Sequence, residues 1–275
     1  VLLSKEDGVV GHPPELVHEI AETHLKAYGP GDIDHLMRSV SPRGGIWAGL
    51  APPDGAVLLR TADEVRGAYG KLLDAVEVGA TDQIISVCTD WYVFNEGVST
   101  TRDKAAGRPF DTRSICLFGN DELGTAIDMA WPFGMNLGPA ADAAATAAER
   151  APQSDLKAHK ARMAGWSVGD ARQAAEGVVD QCFLFLPSFD PEDERLAVLV
   201  RSRPDYEAYL ADLFRTQPIT DLKASNTIVR DLYVFSEHAM TMIRDGEATR
   251  VRYALAEVFD EAGGIQGMLG FATRR

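Results

Sequence analysis

The sequence predicts an α+β chain built from two tandem copies of one unit. The first observation is a repeat: DWYVFNE (residues 90–96) returns as DLYVFSE (residues 231–237), 141 positions later. The second is that the match extends beyond this stretch. The same spacing relates VLLR (57–60) to VLVR (198–201), Leu72 to Leu213 and Phe118 to Phe259. Upstream the spacing is 138, relating Pro14, Tyr28, Gly31-Asp32 and Trp47 to Pro152, Trp166, Gly169-Asp170 and Phe185. A three-residue insertion between Phe185 and Val198 accounts for the change. Each unit spans about 120 residues, the size of a domain rather than of a solenoid repeat. The third observation is the order of patterns in each unit, helical first and β-rich last, which is an α+β layout. The boundaries expected are 10–135 for the first unit, 136–153 for a linker and 154–275 for the second.

The elements of the first unit follow in order. PPELVHEIAETHLKAY (13–28) is a helix, with proline at its start, acids in its first half and a Gly-Pro-Gly stop. DIDHLMRSV (32–40) is a short second helix with Asp32 as N-cap. Residues 46–50 form a short apolar strand, and DEVRGAYGKLLDAV (63–76) a third helix. Three long strand patterns follow, over 83–101, 110–118 and 123–131, separated by Lys-Ala-Ala-Gly-Arg-Pro and Gly-Asn-Asp-Glu turns. The second unit repeats the series. Between them GPAADAAATAAERAPQS is Ala-rich, lacks large apolar residues and reads as an exposed linker.

Composition narrows the function classes. The net charge of −14, from 41 acids and 27 bases, repels phosphate backbones and anionic membranes. Neither nucleic acid nor a membrane is therefore an expected partner. Cys88, Cys116 and Cys182 are odd in number and widely spaced, which argues for a reducing compartment rather than a disulfide framework. The N-terminal stretch VLLSKEDGVVGHPPE reads as neither a signal peptide nor a membrane span, so a cytoplasmic location is expected.

The run AYGPGDIDHLM…SP…IW resembles the opening of the nuclear-transport-factor-2-like superfamily, which includes the SnoaL-like polyketide cyclases and ketosteroid isomerase. The Gly-Asp-x-Asp turn after an aromatic-ended helix carries most of the likeness, and it covers both units. The resemblance implies two cone-shaped α+β barrels, each a curved antiparallel sheet wrapped around helices, with a deep, mostly apolar cavity. It also implies that the outward sheet faces pair, packing the units as an intrachain pseudo-dimer and leaving further homo-oligomerisation open. Asp90, Tyr92, Phe94 and Glu96, with Asp231, Tyr233, Phe235 and Glu237, would be that scaffold face.

Proton-transfer members of the superfamily carry an acid just after the short second segment. Counting from the Gly-Asp turn, that place holds Ala48 here and Leu186 in the second unit, neither of which can abstract a proton. The same count puts His24 where the isomerases have a substrate-binding tyrosine. Helix geometry also turns His24 inward, four residues after Ile20, seven after Val17 and four before Tyr28. Histidine can exchange a proton near neutral pH, so His24 is the candidate acid/base; the competing expectation is a core histidine bonded to a neighbour. The family register turns Thr112, Ser114, Cys116 and Phe118 inward, together with Trp91, Val93, Asn95, Ile127, Met129 and Trp131. The implied first pocket has Trp47, Trp91 and Trp131 as aromatic walls, Thr112, Cys116 and Met129 as further substrate contacts, and His24, Asn95 and Ser114 as polar handles. In the second unit Arg162, Tyr253 and Glu257 turn inward. A buried Glu257 requires Arg162 as its partner, either to polarise a substrate or to plug an inactive cavity.

Other motifs carry less. GWSVG (165–169) fits a nucleophile elbow in letters, but a helical pattern precedes it where a strand is required. His18 and His24 are six apart, which separates two zinc ligands by about 120° on a helix. His12, His35, His159 and His238 show no ligand spacing, and no Gly-rich phosphate loop follows a strand. Asp63 and Glu64 suit the dipole of the third helix, and Asp128 falls outward near Arg113. The function expected is SnoaL-like, cofactor-free acid/base proton transfer on a small apolar polyketide-, terpenoid- or steroid-like substrate: cyclisation, dehydration, isomerisation or epoxide opening. The alternative is a non-catalytic small-molecule-binding or assembly protein of the same fold.

Overall fold

The computed structural model describes residues 12–29, 31–42, 45–48, 56–120, 126–137, 152–189 and 197–274. The described residues before 138 and after 151 fall in two compact units. Most of the expected linker lies outside the described residues.

In the first unit, α1 (Pro14–Tyr28) starts on a proline and buries Val17, Ala21, His24 and Ala27, a stripe at helical spacing. The left-handed turn after it uses Gly31 at φ 67°, a conformation that disfavours a side chain. Asp32 then caps α2 (Ile33–Ser39) by accepting from the His35 amide. Two short strands follow, β1 (Gly45–Ala48) and β2 (Ala56–Leu59). Thr61 caps α3 (Ala62–Ala75) in the same way as Asp32 caps α2. Four long strands complete the unit: β3 (Val76–Cys88), β4 (Tyr92–Asp103), β5 (Pro109–Asn120) and β6 (Ala126–Leu137).

The second unit has the same order. It comprises α4 (Pro152–Val168), α5 (Ala171–Ala174), β7 (Val178–Pro187), β8 (Ala197–Val200), α6 (Arg203–Thr216), β9 (Ile219–Val229), β10 (Tyr233–Arg244), β11 (Glu247–Phe259) and β12 (Ile265–Arg274). The sheets correspond strand for strand, β2-β1-β6-β5-β4-β3 and β8-β7-β12-β11-β10-β9. In each, one short strand pairs in parallel with the last strand, and every other pairing is antiparallel.

Several expectations are corrected. The sheets are open rather than closed barrels, because β2 and β3, and likewise β8 and β9, are edges. The β-rich pattern expected over 83–101 is a hairpin of two strands, since the chain turns at Thr89–Trp91, where the Thr89 amide and hydroxyl both donate to the Tyr92 carbonyl. Residues 57–59, seen only as part of a repeat, lie in β2.

The correspondence between units also shifts. β10 and β11 join through Asp245-Gly246, both at positive φ, the conformation of a tight two-residue hairpin. The β4–β5 connection is two residues longer, with Arg102 opposite Pro109 against Ile243 opposite Ala248. Gly97 opposite Ser114 therefore corresponds to His238 opposite Tyr253, so Ser114 matches Tyr253, not Leu255. By the same ladders Cys116 matches Leu255 and Phe118 matches Glu257, while Trp47 matches Leu186 rather than Phe185. The two-residue slip keeps each β5 residue on its face, because side chains alternate with period two.

Both faces of β4 are buried from Tyr92 to Gly97, and Tyr92, Phe94, Tyr233 and Phe235 have no exposed surface. No helix among the described residues is long and apolar enough to cross a membrane.

Candidate functional site

The first unit contains a cavity of about 570 Å³ between α1, the end of α3, and strands β3, β4 and β5. Its sheet side is made of direct cross-strand pairs: Asn95 with Cys116, Gly97 with Ser114, and Ser99 with Thr112. Phe118, opposite Val93, continues the row beneath α1. Gly97 is required there by close approach, since a Cβ would meet the Thr81 methyl at 2.7 Å. Facing the sheet, α1 contributes Ala21, Leu25 and Tyr28, with His18, Glu22 and Lys26 nearby on the same helix.

Most polar groups in the cavity bond to one another. Thr81 and Ser99 hydroxyls lie 2.6 Å apart, and Thr112 donates to the Thr101 hydroxyl at 3.5 Å. Gln83 Nε2 donates to Asn95 Oδ1 at 2.7 Å, which leaves the Asn95 Nδ2 hydrogens without a partner. Asn95 is only 7% exposed, and it lines the cavity. On α1, Glu22 bonds Lys26 at 2.8 Å and His18 at 3.2 Å. The Lys26 ammonium holds the Glu22 carboxyl below its usual range. Glu96, on the other face of β4, accepts from Arg113 Nε at 2.7 Å and has no exposed surface. Arg113 thus has Glu96 as a partner; the side chain of Asp128, expected near it, lies outside the described residues.

The expected site residues separate into three groups. Asn95, Thr112, Ser114 and Cys116 line the cavity. His24 and Trp91 are buried but are not among the lining residues. Trp91 sits at the β3–β4 turn, its ring 4.7 Å from that of Tyr92. His24 sits behind the wall, with its ring 5.5 Å from both Tyr28 and Phe118, which do line the cavity. Its Nδ1 lies 2.8 Å from the Ser39 hydroxyl and its Nε2 2.9 Å from the Tyr69 hydroxyl. The Ser39 proton is directed to the Leu36 carbonyl, so Ser39 accepts from Nδ1–H and Tyr69 donates to Nε2. The helix stripe does turn His24 inward, but toward α2 and α3 rather than into the cavity. The third group is Trp47, Met129 and Trp131, whose side chains lie outside the described residues. The ladder sets Trp131 opposite Ile115 and Met129 opposite Leu117, whereas Ser114 and Cys116 stand opposite Pro132 and Ala130.

Sequence reasoning did not find Ser39, Tyr69 or the β3 contribution of Val78, Ala80, Thr81 and Gln83. The spacing of Ala21, Leu25 and Tyr28 was the available signal for the helix side, since positions four and three apart share a face. Nothing local marks β3, which is bulged between Val78 and Thr81 and again between Gln83 and Ile85.

In the second unit larger side chains occupy the corresponding positions. Ladder and helix correspondence place His159 for Ala21, Trp166 for Tyr28, His238 for Gly97, Met240 for Ser99, Met242 for Thr101 and Tyr253 for Ser114, and all six are buried. Arg162, the counterpart of His24, donates from Nε to Glu257 Oε1 at 3.0 Å and from Nη2 to Oε2. His159 Nδ1 lies 3.0 Å from the same carboxylate, a partner that its spacing in sequence does not disclose. Burial alone would push the Glu257 carboxyl up; Arg162 and His159 outweigh it and hold the group well below the usual carboxylate range. His238 bonds Ser236 at 2.7 Å, and burial, reinforced by His159, pushes its imidazole down to about 4. Ser167 of the GWSVG stretch is exposed in the last turn of α4 and donates to the Met163 carbonyl at 3.1 Å, as a helical serine does. Among the described residues no cluster of three or more His, Cys, Asp or Glu could hold a metal ion.

Each unit is thus an α+β module of helices on an open six-stranded sheet, and the first of them encloses a small-molecule-sized cavity. The chain is similar to solved structures of this kind. One is a nuclear-transport-factor-2-like protein from Burkholderia xenovorans LB400, 18% identical, covering 45% of this chain and 93% of its own, with a TM-score of 0.38. Another is a ketosteroid isomerase-like protein from Erwinia carotovora atroseptica, 18% identical, covering 44% of this chain and 96% of its own, with a TM-score of 0.36. No protein-family model matches the sequence, and no curated protein is significantly similar to it.

Proposed function

We propose that the first unit binds a small, largely apolar molecule that carries a neutral oxygen, and that the second unit has the same architecture with its interior filled. The observation that carries this is the contrast at matched positions. Gly97, Ser99, Thr101 and Ser114 surround a cavity of about 570 Å³, while His238, Met240, Met242 and Tyr253 are packed into the second core. A cavity of this size is in the range that accepts metabolite-sized ligands. Its apolar side is formed by Ala21, Leu25, Leu72, Val76 and Phe118, and the Asn95 amide supplies a free donor for one oxygen.

Acid/base catalysis through His24 has less support, because both of its ring nitrogens are bonded and it does not reach the cavity. A catalytic version of the proposal has one specific observation in its favour: His18, hydrogen-bonded to Glu22, lines the cavity and is partly open to solvent. That pair could exchange a proton with a guest in an isomerisation, dehydration or ring closure.

The test copies the second unit into the first. Ser114→Tyr places in the cavity the residue that fills its counterpart. With a panel of neutral apolar ketones and alcohols, native mass spectrometry and thermal-shift titration should find guests that bind the wild-type chain and bind this variant at least about tenfold more weakly. Equal affinity in a folded variant overturns the proposal. For any guest that is turned over, loss of turnover in His18→Ala, but not in His24→Phe, supports the catalytic version.

A further inference from the structure

Cys116 stands directly across the β4–β5 ladder from Asn95, and both line the cavity. Its thiol is half-buried, in contact with the apolar group of Val17, Ala21, Val93 and Phe118. The Asn95 Nδ2 hydrogens, on a side chain more than nine-tenths buried, have no partner among the described residues. A nucleophile and an unused hydrogen-bond donor therefore sit side by side in one apolar chamber. The other two cysteines do not line the cavity. Cys88 is exposed, and its thiol, pushed up by burial and then by Glu15, donates to the Pro14 carbonyl at 3.1 Å. Cys182 is fully buried in the second core, and desolvation pushes it up to about 11.

We propose that the cavity of the first unit is a covalent site for apolar α,β-unsaturated carbonyl compounds, with Cys116 as the nucleophile and the Asn95 amide as the donor to the carbonyl oxygen. This rests on the guest-binding function proposed for the same cavity. In the addition the Cys116 thiolate forms a bond to the β-carbon of the enone. The C=C π pair shifts to join the α-carbon and the carbonyl carbon, and the C=O π pair moves onto the oxygen, where the Asn95 Nδ2 hydrogens stabilise the enolate. The proton released when the thiol ionised returns to the α-carbon. Nothing leaves, and no oxidant or reductant is needed. The product is a saturated ketone held by a thioether. Apolar walls select the chain of the guest, and the Asn95 amide hydrogen-bonds its oxygen.

The experiment treats the full chain with 3-nonen-2-one, an apolar enone, and separately with iodoacetamide, a small polar alkylator that needs neither the apolar walls nor an oxygen donor. Peptide mapping gives the rate at each cysteine. The ratio of enone rate to iodoacetamide rate should be at least about tenfold larger at Cys116 than at Cys88, and Asn95→Ala should lower the enone rate at Cys116 by up to about tenfold while changing its iodoacetamide rate by less than about twofold. A ratio at Cys116 no larger than at Cys88 overturns the proposal in the unaltered protein, without recourse to a variant. Equal slowing of both reagents by Asn95→Ala overturns the role of the amide. Nonan-2-one, the saturated analogue, separates this proposal from the one beneath it. If nonan-2-one binds and Cys116 stays unmodified by the enone, only the covalent site fails. If nonan-2-one neither binds nor protects Cys116 from the enone, guest binding in the cavity fails as well.

Discussion

His24 has no exposed surface, and its two ring nitrogens bond Ser39 on α2 and Tyr69 on α3. It joins three helices at one point, and its ring also supports the back of Tyr28 and Phe118. His24→Ala would remove two buried side-chain hydrogen bonds and leave a cavity behind the lining. We expect a loss of about 2–4 kcal/mol in urea denaturation, against about 1 kcal/mol for Tyr69→Phe, which removes one hydroxyl and keeps the ring. If His24 instead acted on a guest directly, the variant would keep its stability and lose only turnover. The same residue shows a limit of helical periodicity. The stripe of Val17, Ala21, His24 and Ala27 is read correctly as buried, but a helix packed between a sheet and two other helices buries more than one kind of neighbour. The stripe does not say which neighbour each position meets.

At the scale of elements, α4 is tied to β11 through Arg162, His159 and Glu257, all at most 2% exposed. Removing one member of such a group leaves an uncompensated buried charge. Glu257→Gln should therefore destabilise the second unit by about 3–5 kcal/mol, measured by chemical denaturation followed through Trp166 fluorescence. The double replacement of Arg162 by Met and Glu257 by Leu should recover most of that loss, because apolar side chains of similar volume often replace a buried ion pair at little cost. Failure of the double variant to improve on Glu257→Gln would show that the pair contributes more than its own neutralisation. The register of β11 is what brings Glu257 to Arg162, and that register depends on the two-residue Asp245-Gly246 turn.

For the molecule as a whole, the two units should respond differently to acid. His238 in the second unit faces Ser236 along its own strand, His159 from α4, and Glu257 and Tyr253 from β11. Its folded value of about 4 is below the ordinary 6.5, so between those values the unfolded chain binds a proton that the folded unit does not. Stability is then fully present above about pH 6.5 and falls as the pH drops toward 4, by about 3 kcal/mol in all. Glu257 acts in the same direction at lower pH, since its carboxyl is also depressed in the folded state. Denaturation midpoints read from Trp166 at pH 7, 5 and 4 should fall in wild type, and His238→Met should flatten the decline between pH 6.5 and 4. An unchanged slope in that variant would assign the acid sensitivity to other groups.

The sequence by itself determined most of the elements and their order, but not β2, nor the turn that divides β3 from β4. Proline and acids start α1, Asp32 and Thr61 cap α2 and α3, and the β-branched and aromatic runs give the long strands. These are local effects, set by backbone preferences within a few residues. The register implied by the family resemblance put Asn95, Thr112, Ser114 and Cys116 on one side, which lines the cavity, because one face assignment carries every second residue of a regular strand with it. Only the tertiary structure decided what non-local pairing controls. The open edges at β2 and β3 and the two-residue slip that matches Ser114 with Tyr253 depend on strand order and loop length. So does the commitment of His24 to Ser39 and Tyr69, 15 and 45 residues away along the chain. Whether a unit is hollow is decided last of all. It depends on the summed volume of side chains brought together from four or five elements, a quantity that no single stretch of sequence contains.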